Sequence, residues 1–249
     1  MSESQWPNLF GKTILQVIPD LSAGGAERTT VEMAEAITKA GGRALVASEG
    51  GRLEPYLRAA GGQLIEMNAS SKNPITLRNN VKRLETLIIE ERVDLIHARS
   101  RAPGWSAYEA ALRSNLPFVT TYHGAYSGET GLKKRYNSVM AKGDLVIANS
   151  EWTAAHVIAV HEIPAEKIVT IPRGVDFETF NPAVVTPEQI DAVRSDWGLL
   201  PDDDRLRLVL PGRLTRWKGQ ALAIDSPGAR AVSDRAGPPL LLTAHAQGP

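Results

Sequence analysis

Gly212, Arg213 and Lys218 lie in the stretch Arg205-Leu-Arg-Leu-Val-Leu-Pro-Gly-Arg-Leu-Thr-Arg-Trp-Lys-Gly-Gln220. An apolar run passes through Pro-Gly into a loop and then into a helical pattern beginning Ala221-Leu-Ala-Ile. A strand, a glycine-bearing turn and a helix start gather backbone N–H groups and positive side chains about one point. That arrangement suits an anion such as a nucleotide diphosphate. Arg213 and Lys218 together can neutralise a leaving diphosphate in a water-poor site without a metal.

A second candidate is the loop Ser22-Ala23-Gly24-Gly25-Ala26-Glu27-Arg28, which follows the first strand and opens a helix. Two glycines let backbone approach a ligand, and the helix N-terminus favours negative charge or hydroxyl oxygens. A tight turn that needs glycine for packing reads equally well. The loop is not G-x-G-x-x-G, and no clear acidic residue ends the second strand, so a nicotinamide-dependent enzyme is poorly supported.

His97 and Arg99 end one apolar segment, and Thr121-Tyr122-His123-Gly124 ends another. The carboxyl ends of strands in open α/β sheets face the ligand crevice, so both histidines could meet one cleft. A lone histidine is more often a hydrogen-bonded structural residue. His156 and His161 sit five apart on a helical pattern, poorly spaced to share a ligand, and no metal site is expected. Asp202-Asp203-Asp204 reads as a solvated acidic turn. Lys133-Lys134-Arg135 with Lys142 forms a basic helical stretch, a solvated face first and a membrane-surface or anionic-acceptor contact second.

These residues need a scaffold, and the hydrophobic pattern supplies one. Strands are predicted at Lys12–Pro19, Arg43–Ser48, Gln63–Met67, Val93–His97, Phe118–Tyr122, Leu145–Ala148 and Lys167–Ile171. Helices are predicted over the residues after Ser22 to about Ala40, Leu53–Ala60, Ile75–Glu91, Pro103–Ser114, Leu132–Lys142 and Glu151–His161. In the third, Ile75, Val81, Leu84, Leu87 and Ile88 are expected on one side. Ser150 is placed to cap the last. The alternation indicates βαβ units, a parallel sheet covered on both faces and a Rossmann-like α/β domain.

That domain is expected over residues 1–175. Residues 176–204 read as a Pro- and Asp-rich linker with one helix, Pro187–Trp197. Residues 205–225 read as the first βα unit of a second domain, its strand at Leu206–Leu210, and residues 226–249 as an irregular tail. A lone strand there leaves an unpaired apolar edge, so limited proteolysis is expected to leave a core ending near Asp176.

The 249 residues contain 28 Lys plus Arg against 28 Asp plus Glu, which offers no global attraction to nucleic acid. The absence of cysteine removes disulfides and thiolate catalysis. No signal-peptide-like start and no apolar run of ~18 residues is present, so an intracellular, water-soluble protein is expected.

Together, five segments resemble the retaining glycosyltransferases of family 4, which have the two-domain GT-B architecture. They are Gly24-Gly25-Ala26-Glu27-Arg28, Thr121-Tyr122-His123-Gly124, Ala148-Asn149-Ser150, Ile171-Pro172-Arg173-Gly174-Val175-Asp176 and Gly212-Arg213-Leu214-Thr215-Arg216-Trp217-Lys218-Gly219. The match covers about residues 12 to 225, and the family usually has Asn where Arg173 stands. The resemblance implies a nucleotide-sugar co-substrate, UDP-, GDP- or ADP-linked, and no other cofactor. It implies that Gly212, Arg213 and Lys218 contact the donor diphosphate and that His123 lies near the transferred sugar. Gly24, Gly25, Glu27 and Arg28 would form an acceptor and phosphate loop, with His97, Arg99, Asn149 and Ser150 elsewhere in the cleft. A saccharide or lipid-linked acceptor, transfer with retention and a role in lipopolysaccharide or exopolysaccharide synthesis are implied, with peripheral contact at the inner membrane face.

The family's E-x7-E motif would lie about a hundred residues beyond Lys218. The sole pair with that spacing, Glu27 and Glu35, falls on the first helix of the wrong domain. After Asp225 the segment beginning Ser226-Pro227-Gly228 departs from the family and reads as out-of-frame coding. The expectation is a truncated or frameshifted member that is inactive alone, or a non-catalytic acceptor-binding remnant.

Overall fold

The structure is a computed structural model that describes residues 7–124, 126, 130–199, 209–210, 212 and 216–225. Its contacts divide the chain into two units, Met1–Gly174 and Val175–Pro249.

The first unit is a seven-stranded, fully parallel sheet. Its strands are β1 (Thr13–Val17), β2 (Arg43–Ser48), β3 (Gln63–Glu66), β4 (Leu95–Ala98), β5 (Phe118–Tyr122), β6 (Leu145–Ala148) and β7 (Ile168–Thr170). They are ordered β3-β2-β1-β4-β5-β6-β7, with Leu15 paired to Leu45 on one side and to Ile96 on the other. The strand order reverses between β1 and β4, the point at which open α/β sheets place their ligand crevice. Burial on both faces explains why β2 reads as a continuous apolar run: five of its six residues are buried.

Helices α1 (Gly25–Lys39) and α2 (Glu54–Ala59) cover one face, α3 (Pro74–Glu90) and α4 (Arg101–Ser114) the other. Val31, Ala34, Ile37 and Leu57 pack against Val46 on the first face. Val81, Leu84, Ala107 and Ala110 pack against Leu15 and Ile96 on the second. A third cluster gathers Tyr122, Met140 and Val146 with Val157 of α6 (Glu151–His161).

The predicted strands and helices are all found in this unit, with shifts at their ends. Ile75 departs from its predicted face and is 72% exposed, while Val81, Leu84, Leu87 and Ile88 are buried. Six residues at 3.6 per turn place it well round the helix from Val81. The predicted Leu132–Lys142 helix is α5 (Gly131–Asn137) followed by a tighter 3₁₀ turn, Ser138–Ala141. Helix α4 starts two residues before the predicted Pro103, because proline in a first turn loses only an N–H that has no intrahelical acceptor. Ser150 caps α6 as expected, accepting from the Thr153 N–H.

In the second unit, α7 (Pro187–Asp196) opens on a capping box of Thr186 and Gln189. Arg216–Lys218 forms a 3₁₀ turn before α8 (Gln220–Asp225). Val209 and Leu210 are in no regular element, and the rest of the predicted Leu206–Leu210 strand lies outside the described residues. The same is true of the predicted tail, 226–249.

Candidate functional site

Four strand ends of the first unit and helix α1 converge on one cleft of about 480 Å³. Its lining includes Thr29, Glu32 and Met33 from α1, Arg99 after β4, Thr121 and His123 at and after β5, Asn149 after β6, and Pro172, Arg173 and Gly174 after β7.

Gly25 is the first residue of α1, where unsatisfied N–H groups and the helix dipole give a positive end. A Cβ at this position would overlap the Arg173 guanidinium at Nη1. Glycine is therefore what lets Arg173 lie against the start of α1. The Arg173 Nη2 donates to His123 Nδ1 at 3.2 Å. Because a guanidinium only donates, Nδ1 must accept, and the neutral ring carries its proton on Nε2. That buried Nε2 has no hydrogen-bond partner among the described residues. Burial, then the charges of Arg99 and Arg173, push the His123 pKa down to about 3, with the Arg99 backbone opposing the shift. His123 is thus a neutral hydrogen-bonding group at physiological pH and a poor general base.

Arg99 is 3% exposed. Its Nη2 donates to Thr29 Oγ1 at 2.5 Å, while its buried Nε has no partner among the described residues. Burial and the neighbouring Arg173 charge lower its pKa to about 10, against the opposing pull of Glu32 and Glu27. It stays charged at pH 7. Glu32, the carboxylate of the cleft lining, is itself paired with Arg28 at 3.2 Å. Among the described residues neither Arg99 nor Arg173 forms an ion pair. A buried guanidinium with an unsatisfied donor, beside a second guanidinium and a helix N-terminus, makes a site that is stabilised by an incoming anion.

The other predicted residues take different places. His97 does not line the cleft: β4 continues through Ala98, so the ring stays within the sheet, 4% exposed and 2.7 Å from Thr121 Oγ1. Burial drives its pKa well below the ordinary value. Asn149 holds the His123 backbone, donating to its carbonyl at 3.0 Å, and accepts from Thr153 Oγ1 at 2.8 Å. Ser150 is used as the cap of α6. Gly24 is the N-cap of α1 with φ of 134°, and the Glu27 carboxylate folds over it. Arg28 is drawn aside by Glu32 and by the Tyr56 ring.

In the second unit, the Lys218 side chain packs by Gly212: a Cβ there would lie 3.6 Å from Lys218 Cγ and Cδ. Arg213 and Asp202–Asp204 lie outside the described residues. Thr29 and Arg173 were missed as site residues. Their signals were present: Thr29 stands one helical turn after Gly25, and Arg173 follows a strand end.

A parallel α/β domain with an anion-seeking cleft at its strand switch point is the architecture of a GT-B-type, Rossmann-like half. Residues 23–179 match the family model of Glycosyltransferase Family 4, and the chain belongs to that family. A glycosyltransferase from Rickettsia africae is 34% identical, superimposes with a TM-score of 0.75, and is matched over 94% of this chain and 69% of its own. Anabaena HepE, solved with UDP and glucose, shares the fold at 21% identity and a TM-score of 0.69, over 93% of this chain and 60% of its own. The D-inositol 3-phosphate glycosyltransferase of Jonesia denitrificans is 24% identical over 223 residues, 82% of this chain. The chain spans half the length of that curated relative. Among the described residues no helix is long and apolar enough to cross a membrane.

Proposed function

We propose that this chain contributes the acceptor-side wall of a glycosyltransferase that moves a sugar from a nucleotide diphosphate to an acceptor hydroxyl. The observation that carries the reading is the cluster of Arg99, Arg173, His123 and the start of α1 at Gly25, which gathers positive charge with no direct ion pair to either guanidinium among the described residues. The charge that grows on a departing nucleotide diphosphate is the kind such a site stabilises. Neutral His123 would serve as a hydrogen-bond donor to the sugar through Nε2–H, not as a proton acceptor.

In this reading residues 1–175 form the acceptor-side domain, 176–204 the linker and 205–225 the start of a donor-binding domain, with Gly212, Arg213 and Lys218 on the donor diphosphate. The family resemblance supports transfer with retention, a UDP-, GDP- or ADP-linked donor and a saccharide or lipid-linked acceptor. The Arg-Leu-Thr-Arg-Trp-Lys-Gly-Gln form supports a place in cell-envelope polysaccharide synthesis, at the cytoplasmic membrane face.

Incubating the purified chain with a panel of nucleotide sugars and following nucleotide release tests the reading. Release that falls in Arg99→Met and Arg173→Gln variants supports catalysis at this cleft. Nucleotide-sugar binding without release favours a non-catalytic binding module. Absence of both removes the proposal.

A further inference from the structure

A second basic recess opens at the same end of the sheet, on the other side of β4. It has a volume of about 380 Å³ and is lined by Lys72, Ser100, Arg101, Ala102, Lys133, Tyr136 and Asn137. Arg99 and Arg101 are two residues apart on the segment that leaves β4. The first lines the cleft against α1, the second lines this recess at the start of α4.

Arg101 is held in place. Its guanidinium lies 4.0 Å from the centre of the Tyr126 ring and 5.7 Å from that of Tyr136. Its Nη1 donates to Asn137 Oδ1 at 2.7 Å, and Asn137 is 3% exposed. A guanidinium fixed on two rings and a buried amide loses little further entropy when it binds a planar or tetrahedral oxyanion. Lys72 and Lys133 add two exposed ammonium groups, and among the described residues no carboxylate lines the recess. None of the three cations forms an ion pair among the described residues. Ser100 is the N-cap of α4 but makes no side-chain cap bond, and Pro103 brings no N–H to the first turn. The recess therefore combines three cations that have no carboxylate partner among the described residues with the positive end of a 14-residue helix and a hydroxyl that makes no cap bond.

We propose that this recess is an anion subsite that takes a phosphate or diphosphate group of the acceptor. The dianion would sit between Arg101, Lys72 and Lys133, with the first N–H groups of α4 and the Ser100 hydroxyl donating to its oxygens. The rest of the acceptor would then be led past Ser100 toward Arg99 and the transfer cleft. Assigning the anion to the acceptor rests on the glycosyl-transfer reading; the anion site itself does not.

Inorganic pyrophosphate titrated into the ¹⁵N-labelled full chain separates the two sites, because each has its own backbone amides. Saturable shifts at Ser100, Arg101 and Ala102, weakened at least tenfold in a Lys72→Gln/Lys133→Gln variant while those at Gly25 and His123 persist, are the expected result. Both lysines are exposed, so the variant should keep the wild-type spectrum elsewhere, and Arg173→Gln should weaken the second set alone. Shifts confined to Gly25 and His123, or unaltered by the lysine changes, would overturn the subsite. A parallel arm uses vesicles of phosphatidylglycerol or phosphatidylcholine. Lysine-dependent capture by the anionic vesicles alone, without pyrophosphate shifts at Ser100 to Ala102, would reassign the recess to membrane headgroups and overturn the acceptor proposal.

Discussion

Replacing Arg99 by methionine should make the unliganded protein more stable and less able to bind an anion. Arg99 is 3% exposed, its Nε has no hydrogen-bond partner among the described residues, and Arg173 is the charge that acts on it most strongly. Its pKa falls from 12.5 to about 10, so the buried charge is less favourable than in water by about 3 kcal/mol. Folded and unfolded chains both carry this charge below about pH 10, so the cost is present throughout the physiological range. Methionine fills similar space without charge, as hydrophobic replacements of buried ions can. The substitution forfeits one hydrogen bond from a charged donor, that to Thr29, worth about 1.5–3 kcal/mol. Thr29 keeps its bonds to the Gly25 and Ala26 carbonyls.

The net expectation is a gain of up to about 2 kcal/mol, or a rise in Tm of up to about 8 °C for a chain of this size. Differential scanning fluorimetry with and without pyrophosphate reads both halves of the argument. Ligand should raise the wild-type Tm by mass action, and should raise that of the variant far less. A variant that melts below the wild type, or that gains as much from pyrophosphate, would show that Arg99 is a structural residue and not a charge kept for a ligand.

Gly25→Ala should displace the flexible end of Arg173 from the start of α1, weakening nucleotide diphosphate binding at least tenfold by calorimetry. Stability should change by less than about 1 kcal/mol, since alanine suits a helix. Lowering the pH should destabilise the fold: the unfolded His123 takes a proton below pH 6.5 that the native ring refuses down to about pH 3. At pH 5 this amounts to about 2 kcal/mol, with His97 acting in the same direction, so His123→Gln should flatten the dependence of Tm on pH between 7 and 5. An unchanged slope in that variant would contradict the buried neutral ring. Ser150→Ala removes the α6 cap and should cost about 1 kcal/mol in urea unfolding, with a loss below 0.3 kcal/mol counting against the cap.

The sheet was legible because its strands are apolar on both faces and its helices carry a periodic stripe. Val46 and Leu45 point to opposite sides of β2 and both are buried. Ile75 shows the limit of that signal: an apolar residue at the start of a helix was counted with a stripe from which its angle excludes it. The 3₁₀ turn after Asn137 was equally hidden, since Val139, Met140 and Ala141 continue the apolar pattern whichever helix they adopt. For the cleft, glycines and strand ends pointed to the right edge of the sheet. They could not separate His97 from His123, because one extra residue of β4 decides which ring reaches the opening.

Arg173 shows in the sequence only as a departure from the family's usual asparagine. In three dimensions it explains two other features. The backbone at Gly25 must lack a side chain because the guanidinium occupies that space, and the His123 tautomer is fixed because the same guanidinium donates to Nδ1. An asparagine at 173 is neutral and would bring no second charge to Arg99, whose depressed pKa owes part of its shift to the Arg173 charge. The cleft is therefore one electrostatic unit in which Gly25 provides room, Arg173 provides charge and Arg99 bears the cost. The variants should couple accordingly. Arg173→Asn should return part of the stability that Arg99→Met returns, and the double variant should gain less than the sum of the two single changes. Strict additivity in denaturant melts would mean that the two guanidinium groups do not share a site.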